Sequence, residues 1–506
     1  MLIRTKSLKM AGIVAYLYII VNTVSGFILG PAILLKVGSN IYGIYTTINA
    51  LVSALMIADL GVSQTLIRFI ANYKATNRSV RDIGKLCKTI KAINYIFVFF
   101  SVIAGMIVYC IIPYLYKQSF SAQEIHVAQE LLLISMVSII SILLSNYYSG
   151  IIAGYGYFTY INLSKTISVL LKLVLSVLYV TIYANVYMVV WINSIVSILV
   201  LVIDYIYFKT FINIKLNYGF AEITILKTLI VYTLYILIQT IVDQVNSNLD
   251  NIIIGAMVGA SAVTIYSFGL TIFHMFQQLS TSISQMLIPY MSDIVAKRAK
   301  PIEIENSLIK IGRIQYIIVG GIYFGFISFG KLFIHLWLGE GFEPVWIIAV
   351  ILMSGGVFPL VQNGAIALLK AKNMMGFRTA SLFVSAIFNA MMTMIFVNRF
   401  GYIFAALGTA LGFILVNTII MDIYYYRNLK LNMARVLWNI IKVATCCDVV
   451  CALFSYSSQL IFSDCNIFIR FIISVSVFVL LYGISVTYII FSKEERKVLF
   501  GKFIKR

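Results

Sequence analysis

Charged residues are scarce in this sequence, and their scarcity excludes most classes of soluble protein. Asp, Glu, Lys and Arg make up 11% of the 506 residues, whereas about a quarter of an average soluble chain is charged. Proline is rare as well, with six residues, so long stretches contain no helix breaker. The composition excludes a soluble globular or disordered chain and indicates a polytopic membrane protein.

The chain also lacks the residue clusters that build metal sites and active centres. Its six cysteines have no spacing that resembles a zinc site, and its three histidines lie in different segments. The longest predicted outward loop, residues 113–126, holds one Lys, one Glu and one His. We therefore expect a protein that is not an enzyme and that carries no metal and no cofactor. Cys110 and Cys465 lie near the predicted outer surface and could pair, although free thiols are favoured.

Hydrophobic residues, 61% of the chain, are collected into long runs. A helix that crosses the hydrocarbon core needs about 20 mostly apolar residues. The sequence predicts an all-α membrane protein with about fourteen transmembrane helices. The predicted runs are residues 11–35, 42–70, 92–112, 127–152, 158–182, 186–208, 230–254, 263–290, 314–338, 345–369, 379–397, 402–425, 443–461 and 467–491.

The net charge of +20 is explained by the positions of the 38 lysines and arginines. Thirty lie in loops and tails on one side of the predicted membrane and three on the other. Because cytoplasmic flanks retain positive charge, both termini are predicted to be cytoplasmic. Charges scattered in this way, without a folded basic module, argue against nucleic-acid binding. Five basic residues fall inside predicted helices: Arg68, Lys165, Lys172, Lys331 and Arg470.

The chain contains a short internal repeat. At an offset of 221, residues 37–67 share eight identities over 31 positions with residues 258–288. The first two predicted helices thereby match the seventh and eighth, which predicts two parallel six-helix bundles related by an axis along the membrane normal. The predicted segments are an N-terminal lobe (1–209), a cytoplasmic linker (210–228), a C-terminal lobe (229–426), a cytoplasmic loop (427–442), an appended helix pair (443–491) and a basic cytoplasmic tail (492–506).

Polar residues recur at helical spacing in three of these runs, so that each set shares one helix face. The sets are Lys165, Ser168, Lys172 and Ser176; Gln239, Asp243, Asn246 and Asp250; and Ser267, Thr271, His274, Gln278, Thr281 and Gln285. Such groups most commonly form hydrogen bonds between membrane helices. An uncompensated Lys or Asp deep in the membrane costs about 2.5–3.5 kcal/mol, however. We therefore expect Lys172, Asp243 and His274 to line a hydrated cavity or to pair with one another, and Asp204 to pair with Lys165.

Four pairs of glycines have the four-residue spacing that lets membrane helices approach closely. We expect all of them to serve helix packing. They are Gly26 and Gly30, Gly150 and Gly154, Gly321 and Gly325, and Gly408 and Gly412.

Several classes of membrane protein remain to be weighed. A channel is disfavoured because no filter-like segment is repeated, and a membrane glycan polymerase or ligase would present a larger outer loop. A carrier in which two six-helix halves enclose a polar cavity explains more of the residues.

The segments Gly38-Ser-Asn-Ile-Tyr-Gly-Ile-Tyr and Asp59-Leu-Gly-Val, followed by a basic loop, carry a family resemblance. With the length, the helix pattern and the short loops, they resemble the oligosaccharide-lipid (O-antigen-type) flippases of the multidrug/oligosaccharidyl-lipid/polysaccharide exporter superfamily. The loop Asn72-Tyr-Lys-Ala-Thr-Asn-Arg lacks the signature of the major-facilitator superfamily. A drug-extruding relative of the same superfamily is the alternative.

The resemblance implies that the substrate is a polyprenyl-diphosphate-linked oligosaccharide, moved by alternating access to the outer leaflet of a bacterial inner membrane. It also implies contact with membrane lipids and with polysaccharide assembly machinery. Cationic groups would hold the diphosphate, and amide and hydroxyl groups the sugars. The candidate substrate-binding residues are Arg68, Lys165, Lys172, His274, Gln278 and Asn246.

Transport of this kind needs an energy source, and we expect H⁺ or Na⁺ as a coupling ion. Asp243 and Asp250 are carboxylates one heptad apart on a polar membrane face. Asp243, with Asp250, and Asp59 are therefore the candidate ion-coupling residues.

Overall fold

The computed structural model describes residues 2–59, 61–212, 219, 240–241, 244, 248–372 and 374–490. Among them, the side chains of residues 2–9, 58–59, 282–286, 288, 443 and 489–490 are left undescribed. Every regular element within these ranges is a helix. The predicted all-α membrane fold is therefore confirmed.

The chain forms two compact units, Met1–Thr264 and Ile265–Arg506. The helices of the first unit are α1 (Leu2–Val37), α2 (Ser39–Leu55), α3 (Val62–Ala75), α4 (Val80–Leu115), α5 (Ala122–Gly154), α6 (Phe158–Tyr183) and α7 (Val186–Tyr207). A π-helical turn, Phe208–Ile212, continues α7, and residues 248–257 are also helical.

One helix, α8 (Ala260–Ala296), contains the boundary between the units. The second unit continues with α9 (Pro301–Leu338), α10 (Glu343–Val361), α11 (Asn363–Ala371), α12 (Gly376–Phe400), α13 (Ala405–Gly412), α14 (Met421–Leu429), α15 (Met433–Ile461) and α16 (Ile467–Ser485). A π-helical stretch, Phe413–Ile420, joins α13 to α14, so that residues 405–429 are helical throughout.

Eleven helices in the described ranges are long and apolar enough to cross a membrane. They follow the predicted runs closely, so this is a multi-pass membrane protein. The seventh run, residues 230–254, lies mostly outside the described residues, and the count of fourteen stays a prediction. The boundaries of the predicted lobes, linker and tail also stay predictions.

Two predicted helices are interrupted. The run 42–70 divides into α2 and α3 at a 3-10 turn, Met56–Asp59, and at Gly61, whose φ of 67° is left-handed. A glycine reaches this conformation without the steric cost that a Cβ would add. The run 345–369 divides at Gln362, three residues after Pro359, which has no N–H to donate within the helix.

Three helices begin well before their apolar runs, at the predicted cytoplasmic side. They start at Val80, Pro301 and Met433, whereas the runs start at residues 92, 314 and 443. Ten or more residues of helix add about 15 Å at 1.5 Å per residue. The basic residues there are thus presented on helices.

Polar contacts between helices stabilise the first unit. The Tyr147 hydroxyl of α5 donates to the Cys87 carbonyl of α4 at 3.0 Å, and the Asn94 amide of α4 donates to the Leu143 carbonyl at 3.1 Å. The side chain of Tyr147 is 1% exposed. Such bonds have no competing water inside a bilayer.

Candidate functional site

The first unit contains a cavity of about 580 Å³ between five of its helices, α1, α2, α5, α6 and α7. Most of the side chains that line it are polar, which is unusual for the interior of a membrane-spanning bundle. The polar lining residues are Tyr18, Asn22, Ser25, Tyr45, Ser145, Asn146, Ser149, Ser164, Lys165, Ser168, Lys172, Asn193, Ser197 and Asp204.

Helix α6 supplies the cationic wall of this cavity. Lys165, Ser168 and Lys172 all line it, as their spacing of three and four residues predicts. Ser176, the fourth member of the predicted stripe, does not line the cavity; its side chain is fully buried. The stripe therefore faces the cavity over only part of its length.

Lys172 is the more deeply placed of the two lysines. Its Nζ donates to the Ser197 hydroxyl of α7 at 3.3 Å, and that hydroxyl donates in turn to the Asn193 carbonyl at 2.7 Å. An ammonium group has three donors. No carboxylate in the described residues forms an ion pair with Lys172; the ion pairs there lie elsewhere. Its charge and remaining donors are thus available to an anion in the cavity.

Asp204 of α7 is the acidic residue among the described residues that line the cavity, and it is 2% exposed. Its carboxylate accepts hydrogen bonds from the Ser145 hydroxyl at 2.7 Å and the Tyr160 hydroxyl at 2.9 Å. The predicted Lys165–Asp204 ion pair is not formed, although Lys165 is near enough to interact electrostatically. The two hydroxyl donors satisfy the carboxylate, and Lys165 is left exposed toward the cavity.

Four further predicted site residues are described but do not line this cavity. Arg68 is exposed on α3 and has an interaction of its own. Asp250 is 3% exposed in the helical residues 248–257 and likewise has an interacting group. His274 and Gln278 belong to α8, in the second unit, and the His274 ring lies 3.4 Å from the Gln277 amide oxygen.

The remaining predicted residues fall outside what the structure describes. These are Asp243 and Asn246, together with the side chain of Asp59, which ends the 3-10 turn after α2. Their roles in ion coupling and sugar binding stay predictions.

Two hydroxyl groups of the polar stripe on α8 form hydrogen bonds with backbone carbonyls of the same helix. The Thr271 hydroxyl donates to the Ser267 carbonyl at 2.8 Å, and the Thr281 hydroxyl donates to the Gln277 carbonyl at 3.0 Å. Threonine commonly forms such bonds in helices. A role in binding sugars is therefore less well supported for these hydroxyls than for the lining of the cavity.

Gly26, which we expected to serve helix packing, lines the cavity instead. A Cβ on Gly26 of α1 would have nothing within 4 Å, and Gly26 lines the cavity. The packing role was wrong for this residue, because no atom of the described residues lies where its Cβ would pack. It is confirmed for Gly150 and Gly154, where a Cβ would lie 2.8 Å from the Ser63 Cα and 2.9 Å from the Ile70 Cβ.

Sequence reasoning missed the contributions of α5 and α7. The apolar run of α5 is interrupted over about one turn and a half by Ser145, Asn146 and Ser149. This polar interruption could have identified them as lining residues. Asn193 and Ser197, one turn apart in α7, give the same signal.

Comparison with known proteins gives the family. The profile of the family described as "Polysaccharide biosynthesis protein" matches residues 9–295, which is more than half of the chain and includes the whole cavity. The chain belongs to this family. No curated protein matches its sequence.

Solved structures share the fold of this polysaccharide biosynthesis protein. The lipid II flippase MurJ, in an inward closed conformation, is similar with a TM-score of 0.74 and 14% identity, over 97% of this chain and 100% of that one. An inward-facing multidrug resistance MATE family transporter of the MOP superfamily has a TM-score of 0.64 and 13% identity, over 86% and 98%. A eukaryotic MATE transporter has a TM-score of 0.59 and 11% identity, over 87% and 99%. These structures show that the chain has the fold that the resemblance noted in the sequence implies.

Proposed function

We propose that this protein is a flippase that moves a polyprenyl-diphosphate-linked oligosaccharide, a precursor of a surface polysaccharide, from the cytoplasmic to the outer leaflet. The observation that carries the proposal is the cavity of the first unit, in which two lysines stand among hydroxyl and amide groups. Membership in the polysaccharide biosynthesis family and the fold shared with a lipid II flippase support it.

The chemistry of the cavity matches the part of such a substrate that cannot enter lipid. A diphosphate and its sugars lose their hydration in hydrocarbon, whereas a polyprenyl tail does not. Lys172 and Lys165 would neutralise the diphosphate. The amides of Asn22, Asn146 and Asn193 would form hydrogen bonds with sugar hydroxyls.

A carrier mechanism fits these residues better than catalysis does. The cavity offers cations and neutral hydrogen-bonding groups, and the one carboxylate among its described lining residues, Asp204, is already bonded to two hydroxyls. We therefore propose alternating access without covalent chemistry, in the inner membrane of a bacterium with both termini cytoplasmic. Coupling to H⁺ or Na⁺ through Asp243, Asp250 or Asp59 belongs to the same proposal, as does delivery to polysaccharide assembly machinery.

The proposal is tested by deleting the gene and measuring lipid-linked oligosaccharide on each leaflet. Deletion should make the precursor accumulate on the cytoplasmic leaflet, and the wild-type gene should restore its export. Lys172→Gln should not restore it at equal membrane abundance. Lys331→Gln is the matched control, because Lys331 is an intramembrane lysine of α9 that does not line the cavity. An unchanged distribution after deletion would refute the proposal.

A second function, export of a drug or metabolite, is favoured by the fold shared with a multidrug resistance MATE family transporter. Under this alternative the deletion strain becomes sensitive to a cationic or amphiphilic compound, while its lipid-linked oligosaccharide stays normally distributed. The two cationic side chains of the cavity favour an anionic substrate and therefore the flippase.

A further inference from the structure

A second intramembrane carboxylate, Asp448, lies in the second unit and has no assigned role. It belongs to α15, and its side chain is 0% exposed. Among the buried carboxylates of the described residues, it is the one for which neither oxygen has a hydrogen-bond partner. Buried polar groups are nearly always paired, so this exception calls for a physical explanation.

The described groups that face Asp448 come from three helices, and none of these groups is basic. Tyr316 of α9 lies near enough to interact with it, and the Tyr316 and Thr445 hydroxyls share a hydrogen bond of 2.7 Å in which either oxygen can be the donor. Tyr482 of α16 also lies near it and donates to the Ile317 carbonyl. The neighbouring thiols are those of Cys447 and Cys451 on α15 itself. The ion pairs of the described residues are elsewhere.

Other polar residues along the same helix contacts form hydrogen bonds between the helices. The Ser455 hydroxyl of α15 accepts from the Ser328 hydroxyl of α9 at 2.7 Å and donates to the Ser474 carbonyl of α16 at 2.9 Å. The Gln459 amide donates to the Ser328 carbonyl at 2.9 Å. The packing of α15 on α9 and α16 therefore accommodates polar groups, whereas neither oxygen of Asp448 has a hydrogen-bond partner.

The helices approach closely at the carboxyl group. A Cβ on Gly320 of α9 would lie only 2.9 Å from the Asp448 Oδ2. A sodium ion would need several oxygen ligands, whereas a proton binds to a single carboxyl oxygen. An ionised carboxylate without a partner is also far more costly to bury than the neutral acid.

We propose that Asp448 is a proton-binding site, and that the proton it carries holds α15 and α16 against α9. Binding converts the carboxylate to a carboxylic acid, which lies stably in this dry contact. Release of the proton leaves a charge that must be hydrated, and water then separates the helices beside Gly320. This inference does not depend on the identity of the transported substrate.

Protonation of Asp448 is tested by infrared spectroscopy on the full chain in lipid nanodiscs at neutral pH. The wild type should show the C=O stretching band of a protonated carboxylic acid, and Asp448→Asn should lose it. Asp464→Asn, which changes an exposed loop carboxylate, should keep the band. Equal spectra for wild type and Asp448→Asn would overturn the proposal. Loss of the band on exchanging potassium for sodium would assign the site to Na⁺ instead.

The separation of the helices is tested with a native thiol as reporter. Cys451 is 2% exposed and lies one turn from Asp448. Its labelling by a thiol reagent, resolved by mass spectrometry, should rise more steeply with pH in the wild type than in Asp448→Asn. An equally steep rise of labelling with pH in both proteins would refute the separation of the helices. If Asp448→Asn fails to fold, Gly320→Ala is the second variant, because its methyl group presses on the carboxyl group. It should speed Cys451 labelling at neutral pH, and an unchanged labelling rate would count against the proposal.

Discussion

Asp204 and Asp448 are both buried carboxylates in membrane-spanning helices, and their surroundings are opposite. Asp204 accepts two short hydrogen bonds and borders a polar cavity with two lysines. Asp448 has no bonded partner and lies in a closed contact among tyrosines and thiols. The first environment supports a charge and the second supports a neutral acid. Burial alone therefore does not define what an intramembrane carboxylate does.

The largest expected effect comes from reversing the charge of the cavity with Lys172→Glu. The variant removes the cation and adds a carboxylate to the cavity that Asp204 also lines. Hydrogen bonds to charged groups are worth about 1.5–3 kcal/mol each, and every 1.4 kcal/mol is about tenfold in affinity. Export of the lipid-linked precursor should therefore fall by about tenfold or more. Lys331→Glu is the control, and equal export by both variants would contradict a cationic cavity.

The next effect concerns the open volume of the same cavity. Gly26→Leu adds a side chain whose Cβ has no described residue within 4 Å, so folding should be preserved while export falls severalfold. Gly12→Leu is the matched control, because Gly12 lies on the same helix, also has nothing within 4 Å, and does not line the cavity. Full export by Gly26→Leu would show that the substrate does not use this cavity.

A direct comparison of the two carboxylates comes from replacing each with asparagine. Asp204→Asn sets an amide donor against one of the two hydroxyl donors and should destabilise the protein by about 1–3 kcal/mol. Asp448→Asn mimics the neutral acid and should leave stability nearly unchanged at neutral pH. Thermal unfolding of the purified proteins in one detergent measures both. A larger loss for Asp448→Asn than for Asp204→Asn would reverse the comparison.

The smallest effect is expected at an exposed ion pair. The Lys297 ammonium lies 2.6 Å from the Asp293 carboxylate, and both side chains are more than half exposed. The carboxylate raises the pKa of Lys297. The pair can therefore stabilise the folded protein only below that pKa, and this stabilisation is lost as the pH rises through it. Water and salt screen such pairs. Asp293→Asn should leave the unfolding temperature unchanged at neutral pH, and a clear decrease would mean that the pair is shielded.

Much of the fold could be predicted from the sequence, because membrane helices obey a local rule. Each must satisfy its own backbone hydrogen bonds in lipid and needs a long apolar run. The runs 127–152 and 158–182 thus match Ala122–Gly154 and Phe158–Tyr183 within a few residues. The break at Gly61 was not predicted, since an apolar run does not record the φ angle of one residue.

The site was predicted only in part. Spacing alone placed Lys165, Ser168 and Lys172 on one face. The same reasoning gave Gly26 a packing role, paired Lys165 with Asp204 and passed over Asp448. In each case the error concerned a neighbour from a distant part of the sequence, which spacing within one helix cannot identify.

The sequence by itself determined the class of protein, the positions of most helices and the lysines available to an anion. Local hydropathy and helical spacing are sufficient for these. Only the tertiary structure decided which polar residues share a cavity and which of two carboxylates is left without a partner. Hydration and pairing inside a membrane depend on what the facing helices contribute, and those helices meet only when the chain has folded.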